Sequence, residues 1–165
     1  LAADENAMTA ALDEIQKNFG KPDLLSDTRP FTQTNYYRDQ TGPSILRKLI
    51  TIEKLIDPGK LAEIKLTANQ IEQNIAERLA QTSGVPRPVN IDPGIIEPSK
   101  LVLASAKNFA QRIYIGSCIY AELTLMYIKG KWHDFPYTYP DYKLPWYHDF
   151  LSNAREKLVK QLREL

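Results

Sequence analysis

Apolar residues recur at helical spacing along several stretches of the chain and alternate with polar ones along others. Met8, Leu12, Ile15 and Phe19 predict an amphipathic helix over residues 7–19, stopped by Gly20 with Pro22 beyond it. Asp57 reads as an N-cap with Pro58 in the first turn, where its missing N–H costs nothing. Leu61, Ile64, Ala68, Ile71, Ile75 and Leu79 then make one continuous apolar stripe, so a helix is expected over 58–81. A closing helix over about 146–163 turns Phe150, Leu151, Leu158 and Leu162 inward.

Elsewhere the pattern is that of strands. β-branched enrichment predicts a strand at 46–52, and Val89-Asn90-Ile91 reads as a short strand ended by the turn Asp92-Pro93-Gly94. Residues 101–105 fit a buried strand or a short helix. Residues 112–115 and 119–128 alternate, and Lys129-Gly130-Lys131 turns the chain into 132–135. Together these last three segments make an antiparallel meander. Residues 23–44 read as a loop with a short strand, 82–88 as a turn-rich linker, and 136–145 as irregular because of their prolines.

Composition narrows the class. The chain has 165 residues, 43% hydrophobic and 25% charged, with 21 basic and 20 acidic side chains and a net charge of +1. That is one globular domain with a sizeable core. The charge balance gives little pull on a phosphate backbone, so nucleic acid is not an expected partner. No apolar run approaches the roughly 20 residues of a membrane span, and the first residues lack a signal-peptide pattern. A single cysteine, Cys118, favours a reducing, cytoplasmic setting, and its apolar flanks read as those of a buried small hydrophobe. A start on Leu1 leads us to expect that an N-terminal strand is missing.

The candidate chemistry follows from register. A loop at Gly116-Ser117-Cys118 sets Arg112 opposite Glu122 and Tyr114 opposite Tyr120. Tyr120, Glu122, Thr124 and Met126 then share a polar and aromatic face, while Ile119, Ala121, Leu123 and Leu125 face the core. This polar face fits a ligand-facing surface or a solvated cross-strand ion pair. On the helix over 58–81, Glu72 lies roughly 50° from the centre of the stripe and Lys65 roughly 75°, with Asn69 just beyond. These three polar groups fit either a shared cleft or a Lys–Glu pair at the rim of the core. No histidine or cysteine spacing matches a metal site, and neither a phosphate loop nor a dinucleotide-binding turn is present.

Several motifs resemble an uncharacterised bacterial family known only as a domain of unknown function, some members of which are labelled GTP-binding protein. They are Arg87-Pro88-Val89-Asn90-Ile91-Asp92-Pro93-Gly94, the run from Leu101 to Lys107, Gln111-Arg112-Ile113-Tyr114-Ile115-Gly116, Tyr120 to Leu125, and Thr138-Tyr139-Pro140-Asp141-Tyr142. Lys65, Asn69, Glu72, Tyr36-Tyr37 and Arg47 extend the resemblance over nearly the whole chain. Gln111, Gln40 and Ala68 stand where the family's pattern has histidine, glutamate and threonine, which weakens any acid–base role for those positions.

With a first strand restored, the order β-α-β-β-α-β followed by a meander and a helix gives an α+β fold. Its expected form is a ferredoxin-like core with an antiparallel or mixed sheet. The expected function is binding, with or without turnover, of a small anionic ligand such as a nucleotide or phosphometabolite. Arg112 and Lys107 would hold the anion, with Lys65, Asn69, Asn90, Tyr114 and Asp141 around it. Asp92, Glu122 and Glu72 are the candidate catalytic residues, and Asp92 with Glu122 could hold Mg²⁺ beside a nucleotide. The alternatives are an RNA- or protein-binding module without chemistry, and an oligomer joined through the aromatic segment 136–147.

Overall fold

The computed structural model describes residues 1–34 and 37–164. Tyr36, one of the residues carrying the resemblance, lies outside them. The chain forms two compact units, residues 1–56 with 66–91 and residues 57–65 with 92–165.

The first unit opens with α1 (Glu5–Phe19), capped at its start by the Asp4 carboxylate, which accepts from the Ala7 N–H at 2.8 Å. Gly20 ends the helix at φ 105°, a conformation that favours glycine. Strands β1 (Pro22–Leu25) and β2 (Arg29–Pro30) form one arm of an irregular antiparallel ladder. After the short turn α2 (Arg38–Thr41), β3 (Leu46–Arg47) and β4 (Ile50–Ile52) form the other. β1 pairs with β4 and β2 with β3. The single strand expected at 46–52 is therefore split. Ser26 interrupts it by accepting the Leu49 N–H on its hydroxyl while its own N–H goes to the Leu49 carbonyl.

Ala2 bridges Leu46 on one side and Val89 on the other, both antiparallel. The resulting order is Val89, Ala2, β3, β2, with α1 and α3 (Leu61–Leu79) as the connecting helices. This is the ferredoxin-like order, with the segments at Ala2 and Val89 reduced to single bridges. Ala2, Ala7, Met8, Ala11, Ile71, Ile75 and Val89 form the core beneath it, so the periodic stripes of both helices meet the sheet as expected.

The second unit begins at Asp57, whose carboxylate accepts the Gly59 N–H at 2.8 Å and starts the 3₁₀ turn Pro58–Lys60 that runs into α3. Its sheet has five antiparallel strands: β5 (Gly94–Glu97), β6 (Lys100–Ser105), β7 (Arg112–Gly116), β8 (Ile119–Ile128) and β9 (Lys131–Asp134). The 101–105 segment is thus a strand. β8 pairs with β6 along one side; on the other, its first half pairs with β7 and its second half with β9. Leu61, Ala62, Ala104 and Ile119 form a core here. A 3₁₀ turn at Pro140–Lys143 leads into α4 (Pro145–Arg163), which lies against β5. The Arg155 guanidinium sits 3.8 Å above the Tyr127 ring and donates to the Pro98 carbonyl at 2.6 Å. Helices and antiparallel sheets together make the α+β class.

Candidate functional site

Ten residues were expected to carry function, and they fall in both units. Asn69, Glu72 and Asn90 belong to the first; Lys65, Asp92, Lys107, Arg112, Tyr114, Glu122 and Asp141 belong to the second.

In the first unit Glu72 is 8% exposed, and its carboxylate accepts from several donors. Arg87 gives Nε at 3.1 Å and one terminal nitrogen at 2.7 Å to Oε2, and the Ile91 N–H reaches Oε1 at 2.8 Å. The same Arg87 nitrogen donates to the Asn90 side-chain oxygen. Asn90 in turn exchanges backbone hydrogen bonds with Leu1, 2.9 and 2.8 Å long. A cleft of about 410 Å³ opens beside this network, lined by Asn69, Glu72, Gln73, Ala76, Pro86 and Arg87. The second terminal nitrogen of Arg87 makes no hydrogen bond among the described residues, and about a third of the side chain is exposed.

Arg87 was not among the expected site residues, because the 82–88 segment reads as a linker, and neither was Gln73 on α3. One signal was available: a glutamate at the edge of a buried stripe requires a cation. The Lys65 ammonium lies 3.7 Å from Asp92, and its side chain is 6% exposed.

In the second unit the register is the expected one, with Arg112 opposite Glu122 and Tyr114 opposite Tyr120. The environment differs. Glu122 is 1% exposed and Thr124 is fully buried, so the polar face of β8 is no open surface. Part of its cover comes from the segment after β9. The register between β6 and β8 slips at Leu101/Val102, which pair with Leu125 and Leu123 and leave Thr124 as an extra residue. There the Tyr137 hydroxyl donates to the Leu123 carbonyl at 2.9 Å and the Thr138 hydroxyl to the Thr124 carbonyl at 2.7 Å. These bonds fill the gap between β7 and β9.

Arg112 is committed on several sides. Nε donates to Glu122 Oε2 at 2.8 Å, one terminal nitrogen to the Ser105 hydroxyl and the Lys107 carbonyl, and the other to the Tyr139 hydroxyl. Burial works against its charge, but the Glu122 and Tyr139 partners outweigh burial and hold its pKa above that of a free guanidinium. Gln111 also donates to Glu122 Oε2, at 3.0 Å. Glu122 Oε1 is buried with no hydrogen-bond partner among the described residues, a cost of about 1–3 kcal/mol. The Tyr137 phenol, hemmed in by burial and then by the Glu122 charge, titrates above 10.0.

The remaining expected residues are placed as follows. Asp141 is 4% exposed in the 3₁₀ turn before α4. Tyr114 is 59% exposed and packs edge-on to Tyr120. Lys107 is exposed. Cys118 is also exposed, contrary to the buried position expected. It and Ser117 are the central residues of a two-residue turn at φ 57° and 52°, which carries the cysteine side chain outward. Among the described residues no three His, Cys, Asp or Glu side chains group as a metal ion would need, and no helix is long and apolar enough to cross a membrane.

The fold and these clusters define an α+β protein with a ferredoxin-like unit, an antiparallel five-stranded unit and a polar cleft beside a half-buried Arg–Glu pair. The chain belongs to the family described as Domain of unknown function (DUF4416), whose model matches residues 1–158. No curated protein and no solved structure matches it.

Proposed function

We propose that the first unit binds a small ligand bearing a carboxylate or a phosphate in the cleft lined by Arg87, Asn69 and Gln73. The observation that carries this reading is the state of Arg87. Glu72 and Asn90 fix its guanidinium from one side, and among the described residues its other terminal nitrogen is uncommitted beside about 410 Å³ of open space. A fork held in this way loses little freedom on binding an oxyanion. Asn69 and Gln73 add amide donors and acceptors, and Ala76 and Pro86 add a smaller apolar wall, so the lining is mostly polar.

Glu72 shapes the selectivity. Both its oxygens already accept hydrogen bonds, so it does not compete for the ligand's donors, but its charge offsets that of Arg87. The cleft therefore favours a ligand of one or two negative charges with a polar body over a densely charged triphosphate. The candidate catalytic pair is otherwise occupied: Asp92 faces Lys65, and Glu122 takes Arg112 and Gln111. The reading is one of binding, and no reaction is assigned. One exposed cysteine is in keeping with a reducing compartment such as the cytoplasm.

Thermal-shift measurements with inorganic phosphate, succinate and glycerol phosphate test the proposal. The expected result is a saturable stabilisation of the native chain that shrinks in Gln73→Glu, an exposed substitution that adds a negative charge to the cleft. No stabilisation by any of the three, or equal stabilisation of the variant, contradicts it.

A further inference from the structure

Arg87 spends Nε and one terminal nitrogen on Glu72 and Asn90, which leaves a ligand the two N–H groups of the other terminal nitrogen. Arg87 and Glu72 also cancel in charge, and the rest of the described lining is uncharged. A single carboxylate matches that supply. A phosphate dianion brings a second charge and a third oxygen, and the described lining holds no second cation to meet them.

The other unspent groups of the cleft are amides. Asn69 and Gln73 stand four residues apart on α3, neighbours on one face and about 6 Å apart along the axis. Gln70 and Asn74 have the same spacing and pair with each other, Nε2 to Oδ1 at 2.9 Å. Asn69 and Gln73 do not. Among the described residues neither side chain makes a hydrogen bond, although Asn69 is half-buried, and both line the cleft. Glu72, which holds Arg87, is three residues beyond Asn69 and next to Gln73, so the guanidinium and both amides stand within about one helical turn. A primary amide offers a donor and an acceptor side by side, a pattern that another amide answers.

We propose, resting on the reading of this cleft as an anion site, that its ligand is an acylated amino acid: one carboxylate with an amide one carbon away. The carboxylate takes the free nitrogen of Arg87. The ligand's amide N–H and carbonyl meet the Asn69 and Gln73 amides, and its carbon skeleton lies against Ala76 and Pro86. A free N-acyl amino acid and the last residue of a peptide share this chemistry. A fatty acid of the same length lacks the amide, and a peptide with an amidated end lacks the charge.

NMR titrations of the full chain with N-acetylglycine, pentanoate, N-acetylglycinamide and acetyl-triglycine test the proposal. N-acetylglycine is expected to bind about tenfold more tightly than pentanoate, which has the same chain length without the amide, and about tenfold more tightly than the uncharged N-acetylglycinamide. The side-chain NH₂ signals of Asn69 and Gln73 should move with N-acetylglycine. In Asn69→Ala and in Gln73→Met the preference for N-acetylglycine over pentanoate should shrink about threefold or more, with circular dichroism checking that each variant keeps the native fold. Acetyl-triglycine binding more tightly than N-acetylglycine supports a peptide end as the source, and equal binding supports a free acyl amino acid. Acids that bind with no preference for the amide overturn this proposal and leave the anion reading standing. A preference that both variants retain also overturns it. If none of the acids, and none of the anions used in the thermal-shift test, binds, both readings fall.

Discussion

Glu122 is the least ordinary residue in the described chain. One of its oxygens takes two donors, Arg112 and Gln111, and the other takes none, at 1% exposure. A buried ion pair broken on one side costs about 3–5 kcal/mol, whereas its replacement by apolar side chains of similar size is often neutral. Arg112→Met is thus expected to lower unfolding free energy in urea by about 3 kcal/mol, because it leaves a buried carboxylate alone. Arg112→Met combined with Glu122→Leu should cost less than Arg112→Met alone. A double variant that loses the full sum of both single losses would show that the two residues are not coupled.

Tyr137 carries a pH dependence of definite sign. Its folded pKa lies above 10.0, through burial and then the Glu122 charge, so above that pH the unfolded chain releases a proton that the folded chain retains. The titration of this group should leave stability independent of pH in neutral solution and lower it as pH rises past 10.0, the ordinary value for tyrosine. Tyr137→Phe should flatten that alkaline decline while lowering neutral stability through loss of the bond to the Leu123 carbonyl. An alkaline limb identical in both chains contradicts the assignment. Asp134 has the opposite sense: its hydrogen bond to Lys143 is the main cause of its lowered pKa, so what it contributes is lost only in acid.

At the scale of elements, the sequence was most legible where one physical rule acted alone. The apolar stripes of α1 and α3 show which face of each helix is buried, but of the α4 residues expected inward only Leu151 is buried and Leu162 is 44% exposed. The loop expected at 116–118 pairs Arg112 with Glu122 and Tyr114 with Tyr120 as found, although the turn itself is only Ser117-Cys118 and Ile115 bulges to make up the difference. Less legible were features that depend on a neighbour distant in sequence. Nothing near residue 48 shows that Ser26 will split the strand expected there. Nothing in β8 shows that Tyr137 and Thr138 will close over its polar face, because the prolines around them indicate only an absence of regular structure.

The turn that positions Cys118 is itself strained. Ser117 and Cys118 both hold positive φ, where a two-residue hairpin ordinarily uses Asn-Gly. Cys118→Gly should therefore stabilise the chain by about 1 kcal/mol, measured by urea unfolding. A loss of stability would mean that the thiol makes a contact worth more than the strain. Gly94 shows the reverse constraint on the neighbouring hairpin. A Cβ there would lie 2.7 Å from the Leu103 side chain and 2.9 Å from the Val102 carbonyl, so β5 approaches β6 more closely than any larger residue allows.

At the scale of the whole molecule, the candidate site was half visible. The angular positions of Glu72 and Asn69 on α3 already set them beside the buried stripe, and both line the cleft. Arg87, which gives the cleft its chemistry, lies in a segment whose glycine, serine and prolines read as a linker. Its role becomes clear only when the chain returns past α3 and the guanidinium meets Glu72. Seven of the ten expected residues belong to the other unit, where the carboxylates of Asp92 and Glu122 face lysine and arginine within their own unit.

The central claim is that Arg87 and its neighbours bind an anion, and a charge series at Gln73 tests it most directly. Calorimetric titration of the strongest of the three thermal-shift ligands would be run into the native chain, Gln73→Lys and Gln73→Glu. A unit charge about 6 Å from the anion, near the surface, should change affinity about three- to tenfold, and added salt should compress the series. The account expects the lysine variant to bind tightest, the native chain next and the glutamate variant weakest. Equal affinities across the three chains, or the reverse order, would contradict it.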